Sequence, residues 1–257
     1  MPLGRKQSIP DLSTWTRAMD EIVPGPWLDE LFDRTVADVR RFVRGKRVAF
    51  GWSGGKDSLV LQRVMEAAGV AECVLVISNL EYPAFLQWAT DFMPDGLEIV
   101  NTGQGYEWLR AHPAMLFPQG RFGPEWFSIV QHTGQASYYA SHRLDALALG
   151  RRRSDGNYVG RGSNIYTNRQ GVTRWSPLAD WSHEAVLALL KRDRIVLPPC
   201  YEWPRGFQIG TGPWPARQWT RDRAHGWAEV WSIDPDVVRA AAANQIPGAS
   251  DFLMEQG

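Results

Sequence analysis

With 257 residues, 44% of them apolar and 22% charged, the chain has the composition of a soluble globular protein large enough to build a full hydrophobic core. Its 28 basic and 28 acidic residues cancel, so no global field draws it to nucleic acid or to an anionic membrane, and such a role would need a local basic patch. Cys73 and Cys200 are the two cysteines and no C-x-x-C occurs. A four-cysteine zinc or iron–sulfur site within one chain is therefore excluded, and a disulfide framework is not expected, which suits a reducing compartment.

Residues 1–26 carry Pro10, Pro24 and Pro26 and read as an irregular arm. No apolar run follows Arg5 and Lys6, so no signal peptide is predicted, and the longest apolar stretches are strand-sized. The expectation is a cytoplasmic protein with no membrane partner. From Trp27, the residues Leu28, Leu31, Phe32, Thr35, Val36, Val39 and Val43 recur at helical spacing, and Gly45 closes the helix. Arg47–Trp52 reads as a short buried strand, and Leu59 to Ala68 as a helix closed by Gly69. Glu72–Ser78, Leu97–Asn101 and Asp145–Leu149 read as further strands, separated by helices over Pro83–Met93, Tyr106–Ala111 and Thr133–Arg143. Strands alternating with helices predict βαβ crossovers and a parallel sheet. Residues 157–176 suggest a hairpin or loop excursion, and Ser182 caps a helix running to Lys191. Beyond Leu197 the text is rich in Pro, Gly, Trp and Arg, and only Pro235–Ala243 reads clearly as helix.

The sharpest signal is the sequence Ser53-Gly54-Gly55-Lys56-Asp57-Ser58 between the first strand and a helix. Paired glycines let the backbone turn tightly and approach an anion. The amides at a helix start have no intrahelical partner and sit at the positive end of the helix dipole. Lys56 adds a point charge, and Ser53 and Ser58 add hydroxyls. Asp57 would repel bare phosphate, but fits if Mg²⁺ bridges it to the phosphates. A Walker A loop fails here, because Phe50 stands where its first glycine belongs and Asp57 where its Ser/Thr belongs. Gly51-x-Ser53-x-Gly55 matches a nucleophile elbow, but those normally follow several strands. A plain glycine turn with helix-capping residues is the remaining alternative.

The loop resembles the PP-loop of the N-type ATP pyrophosphatase superfamily (adenine nucleotide alpha hydrolase-like). Two further blocks point to its phosphoadenosine-phosphosulfate (PAPS) reductase and ATP sulfurylase small-subunit branch. Asp145–Ser154 looks like that branch's strand plus G-x-R-R segment. Ser176–Ser182 with Val186 resembles its PL-x-x-W-[ST]-x-x-x-V segment, and Pro198–Tyr201 the turn that follows. The resemblance implies a doubly wound α/β fold with a mostly parallel sheet and helices on both faces. It divides the chain into an N-terminal arm and helix (1–44), a PP-loop nucleotide-binding domain (45–205) and a Trp/Arg-rich C-terminal extension (206–257).

It also implies that the loop holds ATP and that an acceptor attacks the α-phosphorus to release pyrophosphate. Ser53, Gly54, Gly55 and Ser58 would bind phosphate oxygens, Lys56 would neutralise charge and Asp57 would help hold Mg²⁺. Gly150 lies where open α/β sheets bind ligands, and Arg152 can contact a phosphate or sulfate through two nitrogens. Ser78 stands with Asn79, Leu80 and Glu81 where the branch has Asp-Thr, a position that shapes the nucleotide pocket; Glu81 is a candidate metal or ribose ligand there.

No C-terminal Glu-Cys-Gly-Leu-His segment is present, so thioredoxin-linked PAPS reduction is not expected, although PAPS remains a candidate ligand. Of the five histidines, His132 and His142 lie near the strand that carries Gly150. Trp203, Trp214, Trp219, Trp227 and Trp231 interleave with Arg205, Arg217, Arg221 and Arg223. Two readings apply to this segment: a compact Trp-rich lid, or a surface for single-stranded nucleic acid. The partners expected are thus a small nucleotide and an unidentified acceptor, with nucleic acid as the alternative; a homodimer is compatible with the sequence.

Overall fold

The computed structural model describes residues 23–217 and 220–256. The arm before Val23, Trp219 and its neighbour Gln218 lie outside the described residues. The first helix, α1 (Gly25–Phe42), begins at a proline-rich turn and buries Leu28, Leu31, Val36 and Val39 on one side. Strand β1 (Val48–Gly51) then enters the interior and leads through the glycine loop into α2 (Lys56–Ala67). β2 (Cys73–Ile77), α3 (Pro83–Phe92), β3 (Leu97–Asn101) and α4 (Tyr106–Ala111) follow. A wide π-helical turn (Phe127–His132) runs directly into α5 (Thr133–Ser141), which hands over to β4 (Ala146–Ala148).

The sheet has six strands in the order β3-β2-β1-β4-β6-β5. All neighbouring pairs are parallel except the last, where β5 (Ile165–Thr167) and β6 (Thr173–Trp175) form an antiparallel hairpin. The central strands are covered on both faces, and Val48, Ala49, Phe50, Cys73, Val74, Leu75, Ala146, Leu147 and Ala148 are all buried. Continuous apolar runs are what a doubly covered parallel sheet requires. α1, α2 and α6 (His183–Arg192) pack on one another, while α5 and the π turn pack against β2. Ser182 caps α6 by accepting from the Ala185 amide (3.1 Å).

The C-terminal segment contains more helix than its sequence suggests. After the short α7 (Gly206–Ile209), α8 (Arg223–Ile233), α9 (Pro235–Ala243) and α10 (Ala249–Gln256) pack together. Asp222 caps α8 and Asp234 caps α9 through side-chain oxygens. Trp214 and Trp227 are fully buried and stack at 5.5 Å between centroids, so neither offers a face to a base. Arg205 and Arg217 both pair with Glu229. The segment is a packed cover in which Trp214 and Trp227 belong to the core and the half-buried Trp231 packs against it. No helix among the described residues is long and apolar enough to cross a membrane.

Candidate functional site

β2 and β3 lie to one side of β1, and β4 lies to the other. The chain therefore changes winding direction between β1 and β4, and the loops leaving these two strands part to form a crevice. A cavity of about 530 Å³ opens there. Its floor comes from Gly51–Ser53, Gly55–Ser58, Leu149, Gly150 and Arg151; the π turn and the segment from Tyr201 to Arg217 supply other walls.

The glycine loop is built for close approach. Gly54 has φ +68°, and a Cβ there would meet the Trp88 ring at 2.7 Å. Gly55 is the N-cap of α2. Ser58 ties the loop together: its hydroxyl donates to the Gly55 carbonyl (2.8 Å) and accepts from the Ser53 amide (3.1 Å). The Gly55 amide donates to Ser53 Oγ (3.3 Å). The Lys56 amide is covered by a side chain from the C-terminal wall, donating to the Tyr201 hydroxyl at 2.6 Å. Among the described residues, the amides of Asp57 and Ser58 have no protein acceptor. They remain the open end of the helix dipole.

Lys56 and Asp57 form a buried unit. Lys56 Nζ lies 2.6 Å from Asp57 Oδ2, and Arg152 Nε lies 2.8 Å from Asp57 Oδ1, an ion pair too misaligned for a hydrogen bond. Burial alone would raise the Asp57 pKa, but Lys56 and Arg152 outweigh it and hold the carboxyl below its usual value. His183, at the start of α6, is buried beside them. Burial, Lys56 and Arg152 push its pKa down to about 4, so it is neutral near pH 7.

Arg152 is where the structure departs from the sequence expectation. Its side chain is fully buried and does not line the cavity. Besides Asp57, it donates to Asp155 Oδ1 (2.9 Å), Ser154 Oγ (3.0 Å) and the Trp181 carbonyl (3.4 Å). Residues in extended backbone alternate sides. Arg152 thus turns inward beneath the loop, whereas its neighbour Arg151 faces the cavity and donates to the Tyr166 hydroxyl (2.9 Å). Gly150, expected at the ligand-binding end of its strand, lines the cavity, and a Cβ there would meet the Asp57 carbonyl oxygen at 2.8 Å. The segment after β4 thus rests directly on the start of α2.

Ser78 is buried and does not line the cavity either. Its amide and hydroxyl both donate to Glu81 Oε1 (3.1 Å each), and it is Glu81 that faces the open space. Burial pushes the Glu81 pKa up to about 7, against the two Ser78 hydrogen bonds that lower it. Sequence reasoning missed Tyr201 as a loop contact and Arg174 altogether. Tyr201 comes from a segment remote from the glycine loop, and Arg174, on β6, lies behind the cavity-lining His132 and Gln135, so only the fold brings either to the site. Cys73 and Cys200 are buried, and burial pushes the Cys73 thiol up to about 12.

The fold is one found among solved structures at low sequence identity. A PAPS reductase from Candida auris, solved as a phosphate complex, superposes with a TM-score of 0.52 at 15% identity, covering 75% of this chain and 96% of its own. An NMN synthetase from Francisella tularensis matches at TM-score 0.46 and 15% identity, over 72% of this chain and 79% of its own. An NH3-dependent NAD synthetase from Campylobacter jejuni matches at 0.47 and 12% identity, over 87% and 96%. No family model and no curated protein sequence matches the chain.

Proposed function

We propose that the protein is an ATP-binding PP-loop enzyme that cleaves ATP between the α and β phosphates and transfers the adenylyl group to an acceptor. The observation that carries this reading is the glycine loop itself. A turn with Gly54 at positive φ leaves the Asp57 and Ser58 amides without protein acceptors at the floor of a cavity of about 530 Å³. That arrangement suits a polyphosphate, whose oxygens supply the missing acceptors.

In this reading, Ser53, Gly54, Gly55, Lys56 and Ser58 hold the β and γ phosphates, and Gly150 keeps the approach open. An acceptor nucleophile attacks the α-phosphorus, the bond to the β-phosphate oxygen breaks, and pyrophosphate leaves with its charge facing Lys56. Lys56 must leave Asp57 to do this. A phosphate oxygen in the loop supplies the competing anion. Arg152 acts from behind by holding Asp57, and positions rather than contacts. Such catalysis is mostly orientation plus electrostatic stabilisation.

Asp57 fits a role toward Mg²⁺. It lines the cavity, its carboxyl is held ionised, and Mg²⁺ commonly takes one or two protein carboxylates, with phosphate oxygens and water completing its shell. Mg²⁺ would supply charge neutralisation on the phosphates. Incubation with ATP, Mg²⁺ and a panel of candidate acceptors tests the proposal: pyrophosphate should form in an amount equal to the adenylylated acceptor plus any AMP released when that adduct is cleaved. Their absence with every acceptor would count against it.

A second reading keeps the cavity and replaces ATP with PAPS. The resemblance of residues 145–154 and 176–186 to the PAPS reductase branch favours it. Reduction is not part of it, because the buried, high-pKa Cys73 is a poor nucleophile and Cys200 is buried as well. A thermal-shift comparison separates the two, since a ligand that binds only the folded state raises the melting point. ATP with Mg²⁺ should give the larger shift under the first reading and PAPS under the second.

A further inference from the structure

Three arginines are buried among the described residues: Arg152, Arg174 and Arg217. Two have carboxylates. Arg152 pairs with Asp57 and Asp155, and Arg217 pairs with Glu229. Arg174, on β6 and only 1% exposed, has no carboxylate within ion-pair distance among the described residues. Its Nη2 donates to Gln135 Oε1 (2.9 Å), its Nη1 approaches His132 Nε2 at 3.3 Å, and its Nε has no acceptor. An unpaired buried guanidinium is costly, because it gives up its hydration without recovering an opposite charge.

The surroundings add positive charge and no negative charge. Arg151 lies close to Arg174, lines the cavity, and has the Tyr166 hydroxyl as its partner. Burial, Arg174 and Arg151 together push the His132 pKa down to about 4, so its ring is neutral and its Nε2 accepts from Arg174. Gln135, the second residue bracing Arg174, lines the cavity too, and its amide nitrogen lies 3.9 Å from where a Cβ on Gly51 would stand, at the end of β1. Arg151, His132 and Gln135 therefore face the cavity, and the Arg174 guanidinium lies directly behind the imidazole and the amide. The site sits beside the glycine loop, since Arg151 directly follows Gly150, which rests on the start of α2.

We propose that Arg151, beside His132 and Gln135 and backed by the buried charge of Arg174, forms a second anion subsite that receives a small oxyanion group, a carboxylate, sulfate or phosphate, carried by the acceptor. The identity of that molecule as an acceptor rests on the adenylylation reading above; the existence of the subsite does not. An anion there contacts Arg151, offsets the uncompensated charge of Arg174 behind the wall, and places the acceptor next to the glycine loop without competing for the loop's amides.

Inorganic sulfate is the probe, titrated calorimetrically into the full chain at constant ionic strength, alone and after saturation with α,β-methylene-ATP and Mg²⁺. The expected result is that sulfate binds the nucleotide-loaded protein as well as the unloaded one. A hydrogen-bonded ionic contact is worth enough that Arg151→Gln should weaken sulfate binding about tenfold or more, and Arg174→Gln, which removes the charge behind the wall, should weaken it as well. Arg174→Lys should recover part of the loss, and Lys56→Ala should keep the sulfate site. Circular dichroism and melting curves check each variant. If Arg174→Gln does not fold, Arg151→Gln, at a half-buried position, carries the same expectation. Three results overturn the proposal: no sulfate binding, binding indifferent to both arginines, or competition between sulfate and the nucleotide, which would assign the arginines to the nucleotide's own phosphates. If the ATP analogue fails to bind, the adenylylation reading fails, while the sulfate titrations of unloaded wild type and variants still decide the subsite.

Discussion

The two walls of the cavity are made differently. The floor, from Gly51 to Ser58 with Gly150 resting on it, is mostly backbone: its groups are amides, fixed by a strand, a positive-φ glycine and a helix start. The opposite walls are side chains from distant segments, with Tyr201 over the Lys56 amide, Glu81 held by Ser78, and Arg151 near His132 and Gln135, behind which Arg174 is buried. A backbone floor recognises a chemical class, because amides bind any polyphosphate. Side-chain walls select a molecule. Under the proposed reading, the floor would hold the nucleotide's phosphates and the walls would select the acceptor.

Substitutions on the two sides should separate these roles. The largest effect on turnover is expected from Lys56→Ala. It removes the cation facing the departing pyrophosphate, and loss of one such electrostatic group typically lowers kcat about 10²- to 10³-fold. Equal AMP formation by wild type and variant would detach the loop from the chemistry. Arg152→Met tests the opposite expectation, that this arginine acts on the fold first. It removes the buried guanidinium that holds Asp57 and Asp155 beneath the loop and should cost about 3–5 kcal/mol of stability, read as a lowered urea midpoint. A stable variant that only loses phosphate affinity would instead return Arg152 to the role its sequence position suggests.

These expectations differ because the sequence is legible to different depths. The alternating strands and helices could be read from apolar periodicity, and the strand-to-helix glycine turn from six contiguous residues whose conformation is locally determined. The arginine that faces the cavity could not, since Arg151 and Arg152 differ only in which way an extended backbone turns them. Helix α8 was hidden for another reason. Its buried residues are Gly226, Trp227 and Val230, too few to make an apolar stripe, and its stability comes from packing on α9 and α10. Arg174 gave no signal, because its meaning lies in lacking a carboxylate, which only tertiary packing reveals.

Glu81 offers a pH test of the selective wall. Its pKa rises from 4.5 to about 7 on folding, so the native state holds its proton where the unfolded chain has lost it. Stability from this group is therefore full below pH 4.5 and declines as pH rises through about 7. Glu81→Gln removes that decline while keeping an acceptor for Ser78. Relative to wild type, its melting point should hold up better at pH 8 than at pH 5; parallel curves would mean that Glu81 is ionised in the folded protein. The smallest effect is expected from Tyr201→Phe, which removes one hydrogen bond worth about 1 kcal/mol. It also uncovers the Lys56 amide. Stability should fall slightly while the dissociation constant for ATP holds or tightens; weaker ATP binding would make the hydroxyl a ligand contact instead of a cover.

The most direct measurement is a crystal structure with α,β-methylene-ATP and Mg²⁺. The account predicts β- and γ-phosphate oxygens within hydrogen-bond distance of the amides between Gly54 and Ser58, with Lys56 turned from Asp57 onto phosphate. Phosphates bound elsewhere in the crevice, with Tyr201 still on the Lys56 amide and Lys56 still on Asp57, would contradict it.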